Sequence, residues 1–150
     1  MKNYYKDRVY KVNRLANELD ALYHQAARKL GISDSALCIL YTVHEKGDGC
    51  LLHDVCRDSG ISKQTINSAI RNLEKDGVLY LEQDRGKAKR ILLTEKGKEY
   101  ITQTAVRLFE AECNAFASWS EEEFELFFKL NEKYNRSLET EIEKIKGQEE

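Results

Sequence analysis

GISKQTINSAIRNLEKDGVLYLEQDRGKAKRILLTEKG, residues 60–97, decides the fold. Gly60–Ile61–Ser62 is a tight turn, and Ser62 stands where its hydroxyl caps the helix that follows. That helix covers about Lys63 to Asp76, because Ile66, Ile70 and Leu73 recur at helical steps and Gly77 stops them. Val78–Gln83 and Lys89–Leu93 are short apolar-rich strands joined by the turn Asp84–Arg85–Gly86–Lys87. Just upstream, Leu51–Ser59 forms a short helix with Leu52, Val55 and Cys56 turned inward. Helix, turn, helix and basic hairpin in that order make a winged helix-turn-helix.

Outward from this centre the chain is helical. It contains no proline, so helices run long and turns fall to Gly, Asp, Asn and Ser. Val9, Val12, Ala16, Leu19, Tyr23, Ala26 and Leu30 alternate steps of three and four, a heptad-like seam on a helix over about Asn3–Leu30. Leu15 and Leu22 widen it, and Gly31 ends it. Ser33 caps a mostly apolar, central helix with Ala36, Leu37, Ile39, Leu40 and Val43, closed by Gly47–Asp48–Gly49. After the hairpin, Thr94 begins one helix carrying Ile101, Ala105, Leu108, Phe109, Ala115 and Phe116 on one side. Ser120-Glu121-Glu122-Glu123 is a capping box that starts the last helix, striped by Phe124, Phe127, Phe128, Tyr134, Leu138, Ile142 and Ile145. The final Gly147–Glu150 is read as a frayed end. The fold class is mainly α with a small β wing.

At 150 residues the chain is expected to be one domain. No apolar run reaches the roughly 18 residues that span a bilayer. The alternating N-terminus MKNYYKDRVYKVNRL lacks the apolar core of a signal peptide, so the expected location is the cytoplasm and no membrane partner is implied. Cys38, Cys50, Cys56 and Cys113 are scattered, consistent with reduced thiols. The net charge is −2, but residues 60–98 hold nine basic against five acidic residues while the tail from Ser120 is acidic. One basic face on such a chain points to an oriented polyanion.

The helix at Lys63–Asp76 and the hairpin tip supply the chemistry. Gln64 and Asn67 can pair bidentately with adenine edges, and Thr65 and Ser68 can contact several bases. These four lie on the first turns, the part that meets bases when such a helix enters the major groove. Ser62, Lys63, Arg71 and Lys75 suit phosphates. In the wing, Arg85, Lys87, Lys89 and Arg90 crowd around Gly86, and such a tip can reach a phosphate or enter a narrow minor groove. Asp84 is placed to orient Arg85 or Lys87. The plain alternatives are a solvated helix face and a solvated basic turn.

Residues 51–97 resemble the winged helix-turn-helix of the MarR family of bacterial transcriptional regulators. The matching pieces are Ile61-Ser62-Lys63-Gln64-Thr65-Ile66, Leu73-Glu74-Lys75-Asp76-Gly77 and Leu93-Thr94-Glu95-Lys96-Gly97, with Asp84 and Arg85 in the wing. The resemblance implies a homodimer on a pseudo-palindromic duplex, with residues 1–31 and 98–146 as dimerisation helices around a winged unit at 32–97. It also implies a repressor modulated by a small effector, for which Tyr23, His24, Tyr41 and Trp119 are candidate pocket liners. This wing is shorter than the family's, ending Gly86-Lys87-Ala88-Lys89-Arg90, so Arg85 is the first choice for the minor groove and Lys87 the second. The competing class is a winged module that binds a protein rather than DNA.

No catalytic motif, cofactor or metal is implied. Cys50, His53 and Cys56 form C-x-x-H-x-x-C, yet positions three and six apart drift around a helix. His24, His44 and His53 read as surface or packing histidines. Cys50 near a helix N-terminus is a candidate redox thiol, since such a site lowers a thiol pKa; an inert small residue there is the alternative.

Overall fold

The structure, a computed structural model, describes residues 2–145, with side chains from Tyr4 onward. The 147–150 end and the boundary at 146 therefore lie outside the described residues. The order is α1 (Lys2–Leu30), α2 (Asp34–Lys46), α3 (Leu52–Ser59), α4 (Lys63–Lys75), β1 (Leu79–Gln83), β2 (Lys89–Leu93), α5 (Glu95–Gln103), α6 (Ala105–Phe116) and α7 (Glu121–Glu143). Contacts divide the chain into two compact units, 1–110 and 111–150, with the boundary inside α6.

In the first unit α2 is the apolar centre. Ile39, Leu40 and Val43 are fully buried, and Ile66, Ile70 and Leu73 of α4 with Val55 of α3 join the same core. Of α1, only the last turns reach it, through buried Ala27 and half-buried Leu30. The rest of its seam faces solvent: Leu15 is 62% and Leu19 52% exposed. α2 starts with the cap its sequence announces, and α5 starts with one at Thr94. Ser33 Oγ accepts from Ala36 N at 3.2 Å, and Thr94 Oγ1 accepts from Gly97 N at 2.9 Å.

The strands pair antiparallel from Leu79↔Leu93 to Gln83↔Lys89. The turn closes with Asp84 N donating to Ala88 O at 2.8 Å and Ala88 N to Arg85 O at 3.2 Å, around Gly86 at φ +62°. β2 has a second edge partner that the sequence does not announce. Leu51 bridges Arg90, Gly49 N donates to Ile91 O at 2.8 Å, and Ile91 N donates to Cys50 O at 2.9 Å. Asp48 Oδ1 also accepts from Leu93 N at 2.8 Å. The loop ahead of α3 is thus laced along the wing and saturates backbone groups that an edge strand would leave open.

The single helix expected after Thr94 is two. Thr104 leaves helical geometry at φ −122°, ψ −88° between α5 and α6. Its hydroxyl donates to Tyr100 O at 2.8 Å, a side-chain bond to the preceding turn that bends helices. With no Gly or Pro there, periodicity alone runs straight through the break. α5 is pressed onto the backbone of Val78, just ahead of β1: a Cβ at Gly97 would lie 1.8 Å from Val78 O.

The second unit contains the end of α6 and α7. Its capping box is complete: Ser120 Oγ accepts from Glu123 N at 3.2 Å while Ser120 N donates to Glu123 Oε2 at 2.8 Å. Phe116, Trp119, Phe124 and Phe127 cluster edge to face around the α6–α7 turn. No α7 side chain is buried, and its stripe of Phe128, Tyr134, Leu138 and Ile142 stays open.

Candidate nucleic-acid interface

α4 enters from Gly60, whose left-handed φ of +65° makes the turn without a Cβ penalty. Ser62 Oγ then accepts from Thr65 N at 3.2 Å, and the Ser62 and Thr65 hydroxyls lie 2.8 Å apart. Ser62 and Thr65 are therefore both helix cap and exposed hydroxyl pair. With Ile66, Ala69, Ile70 and Leu73 buried, the opposite face presents exposed Lys63, Gln64, Thr65 and Arg71 and half-buried Asn67 and Ser68. No acidic residue falls between Lys63 and Asn72, so nothing on this face repels a phosphate backbone. Ser68 is already engaged, since Arg71 Nη2 donates to its hydroxyl at 3.2 Å. This bond holds the Arg71 guanidinium against Ser68 on the same helix.

The wing divides its cations. Arg85, Lys87 and Lys89 are exposed and, among the described residues, make no ion pair, as is also true of Lys63 and Lys75. Arg90 differs. Its Nη1 donates to Gly49 O at 3.0 Å, and its Nε and Nη2 lie 3.2 and 3.3 Å from the Asp84 carboxylate. Two expectations change. Asp84 orients Arg90, not Arg85 or Lys87, and Arg90 is directed along the wing rather than grouped with the free tip. The reason is the bridge at Leu51, which brings Gly49 within reach of β2 across 41 residues of sequence. Gln83 steadies the tip from the other strand, its amide donating to the Gly86 carbonyl.

The four aromatic candidates for a pocket do not share one setting. Tyr23 and His24 are exposed on α1, and His24 Nδ1 pairs with Asp34 at 2.8 Å. Tyr41 is half-buried against the core. Trp119 belongs to the second unit, stacked 5.1 Å from Phe116 and 5.3 Å from Phe127. Sequence reasoning missed a different concavity. A cleft of about 500 Å³ lies between the α1–α2 turn and the flank of α4, lined by Ser33, Ser35, Ser68, Asn72, Lys75 and Tyr100 among others. No local pattern announces it, because its walls come from the α1–α2 turn, α4 and α5, which are distant in sequence.

Cys50 is not at a helix N-cap. That position is Leu51, and Cys50 lies one residue earlier, in the loop paired to β2 and packed against the core. Burial, reinforced by Asp54, raises its thiol above the ordinary value of 9.0, opposite to the depression on which a reactive thiolate rests. Among the described residues, no three His, Cys, Asp or Glu side chains come together as a metal site. No helix among them is long and apolar enough to cross a membrane.

Comparison with known proteins bears on the whole chain. The MarR family model matches residues 30–90, the stretch from the end of α1 through the wing. The chain is 27% identical over 128 residues to YcgE of Bacillus subtilis (strain 168), described as an uncharacterized HTH-type transcriptional regulator, covering 83% of this chain and 82% of that one. Among solved structures it is similar to NMB1585, a MarR family regulator from Neisseria meningitidis, with a TM-score of 0.82 at 16% identity over 93% of this chain and 99% of that one. It is also similar to a MarR family regulator from Listeria monocytogenes complexed with 26mer DNA, with a TM-score of 0.70 at 20% identity over 95% and 97%. The capped α4 and the short two-stranded wing lie inside the matched stretch, so residues 30–90, which match the MarR family model, form a winged helix-turn-helix in a chain that shares the fold of MarR regulators.

Proposed function

We propose that the protein is a sequence-specific, double-stranded DNA-binding transcriptional regulator of the cytoplasm. The observation that carries this reading is the acid-free exposed face of α4, capped by Ser62 and presenting Gln64, Thr65 and Asn67, in the same unit as a wing tip with three unpaired cations. Amide and hydroxyl side chains can read base edges, while Lys63, Arg71, Lys75 and the wing supply the phosphate attraction that dominates affinity. The Listeria relative solved with 26mer DNA supports the same use of the fold.

In this reading the protein acts as a homodimer on a pseudo-palindrome. The long apolar stripes left open on α1 and α7 support pairing, since exposed apolar patches of this extent mark association surfaces. Repression follows if the operator overlaps a promoter. A small effector in the cleft beside α4 would bear on Ser68 and Asn72 and so shift the helix that reads the bases.

The test is selection of bound fragments from genomic DNA, followed by a salt titration of the recovered duplex. A single enriched inverted repeat, bound with an affinity that falls steeply with log salt, is the expected result. No duplex binding at low salt overturns the reading and leaves a winged module that docks a protein.

A further inference from the structure

We propose that Arg90 is a positioning residue, a strut that holds the wing against the loop ahead of α3 so that the tip meets DNA at one angle. The inference rests on the DNA-binding reading above. A two-stranded hairpin alone is only marginally stable. Here the tip carries Arg85, Lys87 and Lys89 within five residues, and their mutual repulsion favours an open turn. Asp84 is the one acid between Gln83 and Thr94, and Arg90 holds it, with Nε 3.2 Å and Nη2 3.3 Å from its carboxylate. The same guanidinium donates through Nη1 to Gly49 O at 3.0 Å. Gly49 in turn donates to Ile91 O at 2.8 Å, and Asp84 N donates to Ala88 O at 2.8 Å. One planar fork thus fastens the start of the turn, strand β2 and the α2–α3 loop together. A lysine has the charge but not the fork, and cannot hold both acceptors in these directions. With one hydrogen from each of its three nitrogens held by Asp84 or Gly49, Arg90 has a different task from Arg85, Lys87 and Lys89, which make no ion pair among the described residues.

The test compares wild type, Arg90→Lys, Asp84→Asn, the double variant and Arg85→Gln by fluorescence anisotropy on the selected duplex across a salt series. Nitrogen-15 relaxation at residues 85–88 of the free protein is measured in parallel. Arg90→Lys and Asp84→Asn are each expected to weaken binding by about tenfold with the salt slope unchanged, and the double variant to be no worse than either. Arg85→Gln instead lowers the slope by about one. Both strut variants loosen the free tip on the relaxation timescale. Binding by Arg90→Lys at the wild-type level, or a rigid tip in that variant, overturns the proposal. If wild type binds no duplex at low salt, the DNA-binding reading has failed. Relaxation then decides the strut alone: a loosened tip sustains it and a rigid one removes it.

Discussion

At the scale of single residues, the informative ones are those whose partners lie far along the chain. Lys46, at the end of α2, pairs with Asp58 of α3 at 2.8 Å, and Arg57 Nε donates to the same carboxylate at 2.8 Å. The hydrogen bond from Arg57, then that from Lys46, lower the Asp58 pKa to about 2 from 3.8. The unfolded chain therefore binds the proton more readily than the folded one, so stability rises with pH across this window. The Asp58 contribution is complete above about pH 4 and is withdrawn as pH falls toward 2. Asp58→Asn is expected to flatten that part of the curve of unfolding midpoint against pH. Because the carboxylate is exposed, 1 M salt should shrink the difference from wild type. An unaltered acid limb in the variant would refute the assignment. Sequence placed Asp54, Arg57 and Asp58 on one short helix but could not supply Lys46, which arrives only when α2 and α3 pack.

At the scale of elements, caps and periodicities were legible and breaks were not. Ser33, Ser62 and Ser120 each accept the backbone bond their positions announced, and Thr94 accepts the same bond at the start of α5. Local hydrogen bonds of this kind depend on three or four consecutive residues, which is why sequence predicts them. The α5–α6 break at Thr104 and the third ribbon at Gly49–Leu51 depend on partners elsewhere and left no signature. The docking of α5 is similarly tertiary. Thr94 Oγ1 donates to Gly77 O at 2.6 Å, and Lys96 Nζ donates to Asp76 O at 2.6 Å. These bonds draw Gly97 against Val78, where no side chain fits. Gly97→Ala is expected to destabilise the folded chain by about 3 kcal/mol, since the obstacle is backbone and cannot rotate away. Denaturant unfolding of the variant checks this. A change below about 0.5 kcal/mol, the range of ordinary surface substitutions, would show that α5 does not press on the Val78 backbone as described.

For the whole molecule the question is what covers the apolar stripes. Val9, Val12, Leu15, Leu19 and Leu22 of α1 are exposed, as are Leu126, Phe128, Leu130, Tyr134 and Leu138 of α7. The homodimer proposed above answers it, and Leu15→Glu with Leu19→Glu tests it. Neither side chain contributes to the core, so the winged unit is expected to keep its helical circular dichroism while sedimentation shifts from dimer to monomer. Loss of the dimer should also weaken binding to a full pseudo-palindrome far more than to a half-site. A wild-type chain that sediments as a monomer at micromolar concentration would refute the dimer.

The sequence by itself determined the helix-turn-helix, the wing, the caps at Ser33, Ser62 and Ser120 and the polar face of α4. Each follows from short-range periodicity, turn chemistry or a local hydrogen bond. Tertiary structure alone decided how the cations divide. Arg85, Lys87, Lys89 and Arg90 are alike in sequence, yet only Arg90 meets Gly49 and Asp84, because the loop ahead of α3 is laced to β2. It likewise decided that Cys50 is a packed loop thiol and that the cleft lies beside α4. Those outcomes depend on which backbone groups and side chains meet across distant segments, and no local pattern encodes such meetings.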